Sequence, residues 1–253
     1  MTASHITVEQ LRRSIAVAKK DLRVYYSKGP VVIFGILMPT FLFLAFSIGR
    51  EISIDSLLPG MLAVTVFFTA SAVSPVIAPW ETQGRTLERL ASCPIAVWTI
   101  LLGDALASFI FGVALSAIPI AVGLVAGVSL AHPLILALGI VLAAFCFSSL
   151  ALIFSSPATS SAATIMMLSS LVKFPLVFIS GIFIPLDGLP AWGKGIASVS
   201  PLTYFADLAR YCVGGTSHYP ASVNFLILLA FTVAFFLAAV KLHERSLPRR
   251  LSS

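Results

Sequence analysis

From Ala105 to Val172 the chain contains no Asp, Glu, Lys or Arg. A helix crossing a hydrocarbon core of about 30 Å uses about 20 residues, so this run supplies two spans and part of a third. The surrounding chain agrees: 253 residues, 58% hydrophobic and only 10% charged, with a mean hydropathy of +1.03. A water-soluble surface cannot be built from that composition, and the expectation is an all-α integral membrane protein. Backbone groups in lipid must be satisfied within a segment or in a closed barrel, and long unbroken apolar runs are helical spans rather than barrel strands.

The same ruler predicts six spans, at 31–49, 57–78, 100–128, 134–154, 162–184 and 222–240. Turn residues divide the charge-free run. Ser129 to Pro133 separates the third span from the fourth, and SSPATSS at 155–161 separates the fourth from the fifth. Lys and Arg then set the orientation. Arg12, Arg13, Lys19, Lys20, Arg23, Lys28, Arg85, Arg89, Lys241, Arg245, Arg249 and Arg250 fall on one side, against Arg50, Lys194 and Arg210 on the other. The positive-inside rule places both termini in the cytoplasm of a multi-pass cell-membrane protein. The formal net charge of +6 is thinly spread at span ends with no basic patch interleaved with aromatics, which argues against a nucleic-acid partner.

Two segments are patterned without being spans. Over 5–28, Val8, Leu11, Ile15, Ala18, Leu22 and Tyr25 recur every three or four residues, while Arg12, Arg13, Lys19, Lys20 and Arg23 fill the other faces. That spacing predicts an amphipathic helix along the inner interface, facing anionic lipid or a cytoplasmic partner. A charged stretch of this length before the first apolar run is no signal peptide, so the first span is expected to be retained. Between the fifth and sixth spans, 185–220 carries an apolar stripe interrupted at Pro201. Two short helices are expected there, dipping into the outer leaflet or capping an outer vestibule, with Trp192, Tyr204 and Tyr211 at headgroup level.

Catalytic and metal chemistry find no foothold in the sequence. GLPAWGKG, Gly188 to Gly195, nearly spells a phosphate-binding loop, but Gly195 stands where the magnesium-binding hydroxyl belongs and no buried strand precedes it. His5, His132, His218 and His243 are scattered, with neither HExxH nor GxSxG spacing, so no catalytic, cofactor or metal residues are assigned. Of the three cysteines, Cys93 falls in the cytoplasm, Cys146 within a span and Cys212 on the outer side. No intramolecular disulfide is expected, which leaves Cys212 either as a buried or free thiol or as a link across a dimer.

An ionisable residue inside a span is informative, because charge near the bilayer centre is costly. Lys173 sits mid-way along the fifth span, before Phe174 and Pro175, where a kink would free a carbonyl. Lining a path or a subunit interface is one reading of it, and local pairing or snorkelling is the other. Asp104 lies near the cytoplasmic end of the third span.

WETQGRTLERLASCP, Trp80 to Pro94, is a charged island between the second and third spans. Glu81, Arg85 and Arg89 recur every four residues, which predicts one helix over 81–93 with a charged side, a Glu81–Arg85 ion pair and a stop at Pro94. An inner loop obeying the positive-inside rule accounts for Arg85 and Arg89, but requires neither Glu81 nor Glu88.

The island, with Gly84 followed by TLERL at 86–90 and a Pro shortly after, resembles the permease subunits of ABC-2 type transporters, the exporters related to the daunorubicin-resistance and nodulation-factor permeases. FISGIFIPLDGLPAW at 178–192 followed by SPLTYFADLAR at 200–210 is similar to that family's other signature. The likeness covers essentially all of 1–253 as a single transmembrane domain. One departure is Arg85, which intervenes where the familiar form has Gly and Thr adjacent.

The resemblance implies a half-transporter: two copies form the pathway, and each binds a separate ABC ATPase that carries ATP and Mg. The helix between the second and third spans would be the coupling helix inserted into that ATPase, a role carried over to Glu81, Gly84, Arg85, Glu88 and Arg89. ATP-driven export of a hydrophobic or amphiphilic substrate is the implied activity: a drug, a lipid or a lipid-linked glycan. Spans two and five would face each other across the two-fold axis, with Phe67, Phe68, Lys173, Phe174 and Phe178 along the path. A permease-like partner that senses rather than transports is the alternative, as is a secondary transporter or intramembrane enzyme; no internal repeat supports the inverted-repeat kind.

Overall fold

The computed structural model describes residues 3–26, 37, 40, 41, 54–182 and 186–251. Among them every regular element is helical, and five stretches are long and apolar enough to cross a membrane. Apart from three positions, the expected first span lies outside the described residues.

Helix α1 (Ala3–Asp21) runs into a π-helical turn at Leu22–Tyr26. Next come α2 (Ile54–Ala70), α3 (Ser74–Gln83), α4 (Thr86–Ala91), α5 (Val97–Val125), α6 (Pro133–Phe154) and α7 (Ala162–Ile179). After a 3-10 turn at Leu186–Gly188, α8 (Ala191–Ala197), α9 (Pro201–Cys212) and α10 (Ala221–Leu251) complete the order.

The expected second span is a broken helix. α2 stops at Ala70 and α3 begins at Ser74 with Pro75 in its first turn. Proline has no N–H, so Pro75 leaves the carbonyl four residues earlier, on Ser71, without its helical donor. Lys173 Nζ donates to that Ser71 oxygen at 2.5 Å, from a side chain buried on α7. The sequence tied Lys173 to a kink at its own Pro175; α7 instead continues through Pro175, and the carbonyl that Lys173 satisfies is the one orphaned on α2 by Pro75. Pairing across the bundle accounts for this buried cation.

The core lies around α2, α6 and α9. Phe67, fully buried, packs edge-on against Phe147 with ring centroids 5.0 Å apart, and Phe147 in turn meets Phe205. The second span is thus the most enclosed of the five, packed by α5, α6 and α9, and Phe67 lies in the core rather than along an open path. Phe68 and Phe174 meet at 5.9 Å, and Phe178 is exposed on the open side of α7.

The hairpin expected between the fifth and sixth spans comprises two helices divided at Pro201, and the second of them packs into the bundle. α9 is sunk among α2, α6 and α10, with Tyr204 buried and its hydroxyl donating to Ser198 O at 2.9 Å, while Trp192 on α8 is exposed. Asp207 of α9 accepts from the backbone N–H of His218 at 2.8 Å and of Tyr219 at 2.9 Å, and from Asn224 Nδ2 at 3.0 Å. Those bonds stitch α9 to the start of α10. Cys212 is free and fully buried, which removes it as a link across a dimer. Gly139 lets α9 approach α6: a Cβ there would stand 2.6 Å from a methyl of Leu208.

Candidate functional site

The charged island does not form one helix over 81–93. α3 carries Glu81 to its end, Gly84 closes that helix, and Arg85 turns the chain through the left-handed region at φ 52° before the short α4 begins. A side chain at positive φ is strained, so this turn costs on the order of 1 kcal/mol and is held by what surrounds it. The Arg85 that interrupts the Gly-Thr adjacency is therefore the residue at which the helix breaks. Leu87, buried, anchors α4 beneath, and Gly84, Arg85, Thr86, Glu88 and Arg89 are exposed around it. Glu88 in the first turn and Arg89 in the last both match the helix dipole.

Glu81 belongs to a different surface from the other four island residues. It is 1% exposed and ion-paired with Lys20 of α1, and the break at Arg85 takes it out of helical register with Arg85 itself. Burial pulls the Lys20 ammonium down, yet the negative charges of Glu81, Asp21 and Asp104 outweigh it and hold the group above its ordinary value. Burial first, and Glu81 second, push the neighbouring Tyr25 hydroxyl up to about 12.

α1 is stapled to the segment that follows α4. Gln10 donates to Pro94 O at 3.2 Å and accepts from Thr99 Oγ1 at 2.8 Å, and Arg13 also donates to Pro94 O. Its packed face is Ser14, Val17, Ala18 and Asp21, made close by Gly103 of α5, where a Cβ would stand 2.6 Å from Val17 Cβ. The expected apolar stripe is divided: Val8, Leu11 and Ile15 are exposed, while Ala18 and Tyr25 are buried. Tyr25 stacks on Trp80 at 5.5 Å, and Tyr26 reaches Ser108 at 2.5 Å and Ser74 at 3.3 Å, so the π-helical turn locks α1 to both α3 and α5. On the far side, Gln83 donates to Ser160 O at 2.6 Å, joining the end of α3 to the loop before α7.

Asp104, which the sequence left at the interface, meets this assembly rather than Lys173: it is buried beside Asp21, Glu81 and Lys20. Asp21 and Lys20 were not singled out as site residues. The available signal was Asp21 itself, an acidic residue in a basic helix, seven positions after Ser14 and therefore on the same face.

These features define a polytopic membrane protein with a short exposed helix at one end, mechanically tied to an amphipathic helix and to several spans. The chain belongs to the ABC-2 type transporter family, whose profile matches residues 11–213. It is a membrane transport permease of that family, whose membrane subunits work with an ABC ATPase. The inner membrane transport permease YadH of Escherichia coli K12 is 27% identical over 191 residues, 75% of this chain and 74% of the relative. Nodulation protein J of Rhizobium meliloti is 26% identical over 196 residues, 75% of this chain and 73% of the relative.

Proposed function

We propose that the chain is the membrane half of an ATP-driven exporter for a hydrophobic or amphiphilic substrate, a drug, lipid or lipid-linked glycan. Two copies would pair with two ATPase subunits, both termini would face the cytoplasm, and six spans, including the one expected at 31–49, would cross the membrane. α4 is the coupling helix, with Gly84, Arg85, Glu88 and Arg89 presented to the ATPase, while Glu81 transmits rather than docks. α1 lies in the inner interface, its exposed Val8, Leu11 and Ile15 toward lipid tails and its exposed Arg12, Lys19 and Arg23 toward anionic headgroups. Phe68, Phe174 and Phe178, on the α2–α7 side, remain the residues assigned to the pathway, and the open face of α7 is where a second copy would sit.

One observation carries this reading: the exposed α4 follows directly on the end of α3, which is tied to α1 through the Glu81–Lys20 ion pair and to the loop before α7 through Gln83–Ser160, while its own Leu87 is buried beneath it. A push on α4 is therefore delivered to several helices at once, as packed elements with discrete arrangements require. Co-purification with the ATPase, using Glu88→Arg and Arg89→Glu, tests it. Loss of the complex and of permease-dependent ATP hydrolysis is expected; if both reversals leave complex and hydrolysis unchanged, the docking assignment fails.

A further inference from the structure

Where α1, α3 and α5 meet, the buried charges are out of balance. Asp21, Glu81 and Asp104 are 0%, 1% and 3% exposed. Lys20 is the cation that faces them, ion-paired with Glu81 and 3.0 Å from Asp21 Oδ1. Apart from that ion-pair contact, neither Asp21 oxygen receives a hydrogen bond, nor does Asp104 Oδ1. The π-helical turn contributes the hydroxyls of Tyr25 and Tyr26. From α10 comes His243, which lines a cavity of about 90 Å³ together with Glu81 and Asp104 and is already bonded to Ala239 O and Ser155 Oγ. α2 and α6 bring no charged side chain to this end.

Among the described residues three carboxylates stand beside one ammonium, which would leave two uncompensated negative charges in a nearly dry site, at several kcal/mol per ion. Asp21 and Asp104 are also within reach of each other. Two ionised carboxylates only accept, so they repel at that range, and the contact becomes a bond when one holds a proton. A metal ion is the poorer solution: among the described residues no group of three or more acidic, His or Cys side chains has a metal-holding arrangement.

We propose that Asp21 and Asp104, backed by Glu81 and Lys20, form a proton-binding site that clamps α1 to α5 while occupied and loosens α1 when the proton leaves. The proton belongs to the cluster rather than to one carboxyl. Its consequence for transport rests on α1 being part of the coupling machinery: an occupied site gives a stiff link from α4 to the spans, and an empty one a slack link.

The test uses the full-length permease alone in lipid nanodiscs, read by infrared absorption of protonated carboxyl groups and by proteolytic release of α1. A protonated-carboxyl band is expected at neutral pH and is lost in Asp104→Asn and in Asp21→Asn. Cleavage of α1 should rise toward alkaline pH by up to about tenfold per pH unit, the slope of one released proton, and Asp104→Asn should flatten that rise. Asp21→Asn serves if Asp104→Asn misfolds. A flat wild-type profile, or a band untouched by either substitution, overturns the proposal. So does a profile that moves with sodium or potassium at fixed pH, which would make the occupant a cation. None of these readouts needs ATPase or substrate, so failure here leaves the docking test standing, and failure there leaves this one standing.

Discussion

Asp207, in the hairpin between α8 and α10, accepts three hydrogen bonds from two backbone amides and an asparagine; Asp21 and Asp104, where α1 meets α5, are equally buried and receive none at three of their oxygens. A buried carboxylate with its lone pairs filled is a fixed strut, since moving it exposes several donors at once. An under-bonded carboxyl pair beside one ammonium among the described residues is a joint, whose stability follows how many protons it holds. The hairpin and the α1–α5 junction thus use the same residue type for opposite mechanical purposes. The rigid end holds α9 in the core, and the adjustable end lies where a partner would push.

Removing the cation should break the joint most severely. Lys20→Met leaves Glu81, Asp21 and Asp104 without the ammonium, and a thermal melt should show a loss on the order of 3 kcal/mol, the low end for a broken buried pair because Lys20 is partly exposed. An unchanged melt would mean that charge does not hold the cluster.

At the strut, Asp207→Ala strands the His218 and Tyr219 amides and the Asn224 side chain, a cost of about 2 kcal/mol. Hydrogen exchange at 218 and 219 should accelerate with no change in the pH profile of α1 release. A change in that profile would show that the two ends are coupled.

Two glycines sharpen the contrast further. Gly103→Ala drives a methyl against Val17 Cβ and Ser14 O, neither of which can yield, so about 1–3 kcal/mol and proteolytic exposure of α1 are expected. Gly139→Ala meets the flexible tip of Leu208 and should cost less. Equal melts for the pair would contradict the close approach of α1 to α5.

Arg85→Gly has the smallest expected effect, stabilising by about 0.5 kcal/mol as positive-φ strain is relieved against the entropy cost of glycine. Tighter ATPase binding would then mark the strain as useful only for the turn's shape, whereas weaker binding would assign the Arg85 side chain to docking.

The pH dependence carries a defined sign. Lys20 is held above its ordinary value, so its contribution is complete below that value and is lost only as pH rises through the still higher folded one. That window is strongly alkaline, and Tyr25, pushed up to about 12, also releases its proton late. A loss of α1 docking near neutrality would therefore not belong to these two groups, and Asp104→Asn tells the carboxyl cluster from His243 as its source.

Helical spans were legible because a bilayer imposes one length and one polarity on every segment, and α5 and α6 differ from the expected bounds by no more than three residues. The two-helix hairpin was legible from Pro201, which preset its break. Pro75 carried the signal for the break between α2 and α3, but nothing local could assign the freed carbonyl to Lys173, distant in sequence. Glu81 misled for the same reason: spacing of four predicts a shared face only where the helix is continuous, and Arg85 ends it.

Composition and periodicity alone determined that this chain would be a bundle of membrane helices with a charged segment outside the apolar runs, because burial of backbone in lipid leaves no other solution. Tertiary structure decided which charges face solvent and which face one another. Ion pairing and proton sharing depend on distances between helices far apart in sequence, and those distances exist only once α1, α3 and α5 have packed.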